Sequence, residues 1–302
     1  MSSPLNQQVI LITGASAGIG AALAKLLSQQ FAGIRLVLAA RNATRLEAVA
    51  EQCRKAGAAV LVVPTDMQQL DQVERLAQKA LDTYGRVDVL INNAGYGQMG
   101  PVELVPMESV RRQFEVNVLG AIALIQKIIP VMRANGGGRI INVSSLGGRM
   151  AFPFGGLYSA SKFALEGLSD TLRMELEPFN IKVSVVEPGP VATEFVDVAA
   201  AGIERAIANP AETPYRAAFA AFDQLELRVA SQMWSAERTA EVILRALRDR
   251  HPRPRYIAAT GGNVLVFLMT KLMPTRLTDK FWQRFYGIDQ VARDWKSLEG
   301  SS

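Results

Sequence analysis

The stretch Val9-Ile10-Leu11-Ile12-Thr13-Gly14-Ala15-Ser16-Ala17-Gly18-Ile19-Gly20 sets five strand-forming residues directly against a glycine-rich turn, and an amphipathic run from Ile19 to Gln30 follows. Apolar strand, tight turn, helix is the arrangement that brings backbone N–H groups and a helix N-terminus up to a pyrophosphate. The glycines are spaced G-x-x-x-G-x-G and not G-x-G-x-x-G, and on their own such turns also occur for purely structural reasons. The position of this one, after the first strand, favours a nucleotide. Gly14, Ser16, Gly18, Ile19 and Gly20 are its candidate contacts.

The same alternation continues along the chain. Leu36 to Ala40, Val60 to Val63, Val87 to Asn92, Arg139 to Ser144 and Lys182 to Glu187 read as strands with little polar alternation, as expected where both faces of a sheet are covered. Thr44 to Ala56, Leu70 to Tyr84, Met107 to Arg133 and Leu157 to Phe179 read as the intervening helices. Strand–helix alternation predicts an α/β fold, a Rossmann-like doubly wound parallel sheet. Beyond Glu187 the pattern loosens. Phe195 to Gln232 suits a helical flap, Ala236 to Arg248 a helix, Arg255 to Ala259 a last strand, and Asn263 onward an appendage. No linker or repeat interrupts the chain, so a single domain over 1–302 is expected: a core at 1–193, a substrate flap at 194–235 and a C-terminal extension at 260–302.

Composition narrows the function classes. One cysteine, Cys53, forbids an internal disulfide and points to a reducing, cytoplasmic setting. One histidine, His251, leaves almost no material for a His/Cys metal site or a Ser-His-Asp triad. The net charge of +5 is spread along the chain and makes no case for nucleic acid. Residues 1–8 carry no apolar leader, and no uninterrupted apolar stretch of spanning length is present.

Binders of the unphosphorylated dinucleotide place a carboxylate at the end of the second strand, for the ribose 2′-hydroxyl. Here Ala40 and then Arg41 occupy that place. A cation favours a 2′-phosphate, hence NADP (NADPH), with Ser16 positioned to add a hydroxyl; the other reading of Arg41 is a solvated loop charge. Farther along, Tyr158 and Lys162 stand four residues apart and so share a helix face. A cation beside a phenol favours its ionised form, which would bring Tyr158 toward useful acid/base chemistry. Ser145 and the Asn92-Asn93-Ala94-Gly95 segment end neighbouring strands at the carboxyl edge, where open α/β sheets bind ligands. Asn117 is a polar residue amid Val116, Val118 and Leu119, and its ordinary role would be a bond to nearby backbone.

In motif order and spacing from Val9 to about Thr193, the chain resembles the short-chain dehydrogenase/reductase family. That resemblance implies a catalytic set of Asn117, Ser145, Tyr158 and Lys162. Tyr158 would be the general acid/base, and Ser145 would orient the substrate oxygen. Lys162 would hold the nicotinamide ribose and lower the Tyr158 pKa, while Asn117 would hold a water on the proton path. It further implies that Asp66 contacts adenine, that Asn93, Ala94 and Gly95 line the cofactor, and that Pro188, Gly189 and Thr193 flank the nicotinamide. Asn92 to Glu103, Ser145 to Gly148 and Lys162 to Leu168 look most like hydroxysteroid and retinol dehydrogenases. The expected activity is interconversion of a carbonyl and an alcohol. A cofactor-keeping lyase or isomerase and a non-catalytic dinucleotide sensor on the same fold are the alternatives.

Met99, Met150, Phe152, Phe154 and Phe195 follow strand ends and are candidate substrate contacts, favouring an apolar steroid-, retinoid- or lipid-like molecule; each is also ordinary core material. Apolar surface on the helices around Asn117 and Leu165 suggests a homodimer or homotetramer. In the tail, Leu277, Phe281 and Phe285 run beside a basic stripe of Arg276, Lys280 and Arg284. That pattern suits peripheral membrane contact, but the favoured reading is that the tail packs on its own core, covers the cleft or joins subunits.

Overall fold

The computed structural model describes residues 4–220 and 229–299. Seven parallel strands form one sheet: β1 (Val9–Thr13), β2 (Arg35–Ala40), β3 (Ala59–Pro64), β4 (Val89–Asn92), β5 (Gly138–Val143), β6 (Ile181–Pro188) and β7 (Arg255–Ala258). Their spatial order is β3-β2-β1-β4-β5-β6-β7, with β1 paired to β2 on one side and to β4 on the other. The chain therefore reverses its direction of winding between β1 and β4. Ligands of such sheets sit at this crossover, at the carboxyl ends of the strands.

Helices cover both faces, which is why β1 and β4 are buried end to end. On one side, α1 (Gly18–Gln30) and α9 (Ala236–Arg248) bring Leu23, Leu27, Ile243 and Leu247 onto Ile10, Ile12 and Ile91, beside α2 (Ala43–Lys55). On the other, α3 (Leu70–Tyr84), α5 (Gly120–Ala134) and α6 (Gly156–Leu176) bring Leu76, Ile128 and Leu172 onto Val9, Leu11 and Leu90. Of the smaller helices, α4 (Met107–Phe114) precedes α5, while α7 (Phe195–Ala206) and α8 (Arg216–Phe219) lie in the flap. The tail contributes α10 (Gly262–Phe267), α11 (Thr275–Phe285) and α12 (Ile288–Glu299). Part of the expected flap, 221–228, lies outside the described residues.

One expectation needs correction. The continuous helix expected over Met107 to Arg133 is interrupted by a π-helical turn at Glu115–Leu119, whose wider winding carries Asn117 inward. The whole Met107–Ala134 run is also long and apolar enough to cross a membrane by length and composition. Its apolarity here serves sheet packing, since Leu124, Ile125, Ile128 and Met132 are buried in the core. Leu165 is buried, while Met107, Leu119, Phe163 and Met174 are exposed apolar residues on the helices expected to carry surplus apolar surface.

Candidate active site

The glycine turn after β1 is locked by its neighbours. Thr13 Oγ1 accepts from the backbone N–H groups of Asn93 (3.1 Å) and Ala94 (3.0 Å). The Asn93 side-chain amide donates to the carbonyl oxygens of Thr13 (2.9 Å) and Gly14 (3.2 Å). Asn93 thus serves the turn from behind. Gly14 has φ +67°, and a β-carbon there would come within 2.9 Å of Ala94 Cα. On Gly20 it would stand 2.4 Å from the Gly14 carbonyl oxygen. This tight cradle, together with a first turn of α1 that no side chain caps, fits a dinucleotide phosphate. By contrast, the neighbouring α2 is capped by Asn42, which accepts from the Arg45 N–H at 3.0 Å.

The other expected cofactor residues surround that turn. Thr193 packs against Gly18, whose β-carbon would lie 3.3 Å from its methyl group. Asp66 sits just past β3 and accepts the Gln68 N–H at 3.1 Å. Ser16 is half-buried, Ile19 opens α1, and Arg41 is exposed at the end of β2. Pro188 and Gly189 end β6, where the Gly189 N–H donates to Ala258 at 3.1 Å. Arg45 was not singled out from the sequence. It forms an exposed ion pair with Glu194, joining α2 to the flap next to Thr193.

The four residues of the expected catalytic set converge. Ser145 follows β5, and its hydroxyl accepts the Gly147 N–H (3.0 Å) and donates to the Pro188 carbonyl (3.4 Å); a β-carbon on Gly147 would lie 3.4 Å from the Tyr158 ring and 3.5 Å from Ser145 Oγ, so the two side chains meet there. Lys162 lies one turn along α6 from Tyr158 with its ammonium 5.9 Å from the ring centroid, and donates to the Val143 carbonyl at 2.9 Å. A β-carbon on Gly95 would lie 3.2 Å from Asn117 Oδ1 and 3.3 Å from Lys162 Nζ, so Gly95 marks where these two meet. Asn117 is strongly engaged with backbone: its amide donates to the Tyr96 carbonyl (2.9 Å) and Ser161 Oγ (3.0 Å), and its Oδ1 accepts the Tyr96 N–H (3.1 Å). Ser161 carries the link onward by donating to the Tyr158 carbonyl at 2.7 Å. Sequence spacing alone did not mark Ser161.

One electrostatic expectation is reversed. Tyr158 is buried, and that burial pushes its phenol up to about 12, with only partial relief from the Ser145 hydroxyl. The Lys162 ammonium, held on the Val143 carbonyl 5.9 Å from the ring centroid, does not offset that burial. Burial instead brings Lys162 down to about 8, against an opposing pull from the Glu166 carboxylate. Glu166 belongs to a buried cluster. Arg255 reaches Glu166 (3.0 Å), Asp170 (2.7 Å) and Glu187 (3.2 Å), and Arg149 reaches Glu187 (2.9 Å). Burial and the nearby Glu187 charge raise Glu166 to about 7.

Aromatic residues wall Tyr158. Phe195 stands edge-on to Tyr158 at 5.5 Å, and a β-carbon on Gly97 would touch both Phe195 and Met99. Phe152 stacks on Tyr286 at 5.5 Å. Phe154, held at φ +63°, meets Tyr215 at 6.0 Å and Phe219 at 5.6 Å. Met150 joins Leu146, Val266 and Trp282 in an apolar cluster that reaches Phe152 through Trp282, 6.3 Å between ring centroids. The five expected substrate residues therefore gather at one end. Tyr215, Phe219, Trp282 and Tyr286, which complete it, come from the expected substrate flap and from the tail, for which covering the cleft was one reading; these residues themselves were not singled out. His251 is on an exposed loop away from this group.

The chain belongs to the short-chain dehydrogenase family, whose description matches residues 8–204. It is therefore an oxidoreductase with the nicotinamide-dinucleotide-binding fold of that family. Human 17-beta-hydroxysteroid dehydrogenase type 1 is 35% identical over 261 residues, spanning 82% of this chain and 76% of that one. Among solved structures, a short-chain dehydrogenase/reductase from Burkholderia phymatum in complex with NAD superposes with TM-score 0.77 at 30% identity, covering 89% of this chain and 94% of the other. A metagenomic short-chain oxidoreductase in complex with NADP gives TM-score 0.66 at 28% identity, over 84% and 98%.

Proposed function

We propose that this enzyme uses NADP(H) to interconvert a carbonyl and an alcohol on a bulky apolar substrate. The observation that carries the reading is the Tyr158 ring and the Ser145 hydroxyl brought together at Gly147 inside an apolar wall of Phe195, Phe152 and Met99.

Bound NADP(H) would supply or accept the hydride. Its pyrophosphate would lie on Gly14, Gly18 and Gly20 with Ser16 and Ile19, and its adenine near Asp66. The nicotinamide half would be held by Asn93 to Gly95, Pro188, Gly189, Thr193 and Lys162. The preference for NADP rests on Arg41, exposed at a strand end that carries Ala40 in place of a carboxylate.

The proton is the chain's own task. Reduction of a carbonyl leaves an alkoxide, and the Tyr158 O–H donates to that oxygen while Ser145 orients it. With its phenol raised to about 12, Tyr158 is fully protonated at neutral pH and ready as an acid. Lys162 contributes a positive charge beside the reacting group, which the developing oxyanion favours. Asn117, fixed by Tyr96 and Ser161, retains spare acceptor capacity on Oδ1 for a water continuing the proton path. A cytoplasmic location is part of this proposal and rests on the buried free thiol of Cys53.

The test is a panel of steroid ketones, retinal, long-chain oxo compounds and small polar ketones, read by oxidation of NADPH. Turnover concentrated among the bulky apolar members is expected. Preference for the small polar ones overturns the substrate class, and no turnover with any member returns the question to a sensor.

A further inference from the structure

The C-terminal helices are apolar on both sides. Inward, Val266, Met269 and Trp282 pack against Leu146 and Met150 beside the candidate cleft. Outward, Val264 (62%), Phe267 (58%), Leu272 (64%) and Leu277 (52%) are more than half exposed, with Leu268 and Phe281 also open. Single exposed apolar residues are ordinary on a soluble protein, but a run of them on adjacent helices is an interaction surface. Lys271, Arg276, Lys280 and Arg284 are exposed on the same segments, with Asp279 the one carboxylate among them. None of these four cations forms an ion pair with a described residue.

We propose that this outer face docks on the surface of an anionic lipid bilayer. Large apolar side chains flanked by unpaired cations match the acyl boundary and the headgroups of such a surface at once. Charge also selects this occupant over a second copy of the chain, because a two-fold contact would set the same cations against each other. The apolar helix Gly262–Leu272 spans only about 16 Å, well short of a hydrocarbon core of roughly 30 Å, so it lies in the interface and does not cross it. The inner side of these helices lines the aromatic end of the site, which places the docked bilayer next to the route an apolar molecule would take. The inference stands apart from the proposed substrate, since its test reads binding and not turnover.

The experiment is flotation of the full chain with vesicles of phosphatidylcholine, alone or mixed with phosphatidylserine, alongside light scattering of the free protein. Recovery with the phosphatidylserine vesicles is expected at low salt, with little on phosphatidylcholine alone and release as salt is raised. Lys271→Glu with Lys280→Glu should weaken partitioning by at least roughly 25-fold, about fivefold for each positive charge removed. Phe267→Asp with Leu272→Asp should abolish it. Circular dichroism, unchanged in both variants, confirms an intact fold. Failure of the wild type to float with phosphatidylserine vesicles overturns the proposal, as does an aspartate variant that floats like wild type. If the wild type instead forms a dimer that the aspartate variant dissociates, without vesicle binding, the face is a contact between copies and the proposal is wrong.

Discussion

Replacing Tyr158 with phenylalanine removes one oxygen from a buried site and leaves most of its surroundings satisfied. Ser145 retains the Gly147 N–H at 3.0 Å and can donate to the Pro188 carbonyl at 3.4 Å, so the loss to stability should be about 1 kcal/mol. The catalytic effect should be far larger. With the phenol raised from 10.0 to about 12 by burial, freeing its proton is harder than for an exposed tyrosine by roughly two powers of ten. At neutral pH only a minute fraction of the enzyme therefore holds the phenolate that alcohol oxidation needs. Reduction needs the protonated form and has all of it. In wild type, oxidation should therefore rise nearly tenfold per pH unit from about pH 6 to about pH 8, while reduction stays level. Tyr158→Phe should lose at least ~10²-fold in both directions, keep cofactor affinity and show no such slope. The assay is steady-state rate against pH in each direction, with cofactor titration by fluorescence. A variant within threefold of wild type, or one that retains the slope, would show that another group moves the proton.

Arg41→Asp should weaken NADPH binding by roughly ten- to a hundredfold and leave NADH nearly unchanged, the scale of one charge-assisted contact; wild type that binds both equally refutes the NADP preference. Glu166 favours the charged form of Lys162, whose ammonium is lost as pH rises through about 8. Glu166→Gln should accordingly move the alkaline fall of the reduction rate to lower pH, with Glu166→Asp restoring it in part; an unmoved limb removes Glu166 from any role in holding that charge. Exposed Leu119, Phe163 and Met174 on the long helices lead us to expect a dimer or tetramer at micromolar concentration. Phe163→Asp should reduce its mass by light scattering, and a monomeric wild type ends that expectation.

The parallel sheet was legible because each core strand is apolar along its whole length and each helix carries a periodic face. Boundaries fell within two residues for β1 to β6, Val87 and Asp88 being excluded from β4 and Ser144 from β5. The convergence of Ser145, Tyr158 and Lys162 was legible too, since strand ends and an i, i+4 spacing place them without knowledge of packing. The π-helical turn at Asn117 was not, because adding one residue to a helical turn leaves the apolar pattern of Val116, Val118 and Leu119 almost unaltered. Nor was the stacking of Tyr286 on Phe152, a contact between segments more than a hundred residues apart that no local periodicity encodes. The Tyr158 pKa escaped for a related reason. A neighbouring cation can be read from spacing, whereas the completeness of burial that outweighs it is a property of the assembled fold.

The lock on the glycine turn has a consequence for the order in which ligands arrive. Thr13 and Asn93 hold that turn with protein groups alone, so the dinucleotide meets a preshaped surface and need not organise one. The opposite end is assembled from a flap, a tail and a phenylalanine at positive φ, whose contacts are aromatic and readily rearranged. Entropy lost on cofactor binding should come mainly from the cofactor, and entropy lost on substrate binding also from the protein. Such an asymmetry favours a cofactor-first sequence, with substrate recognition deferred until the rigid half is full.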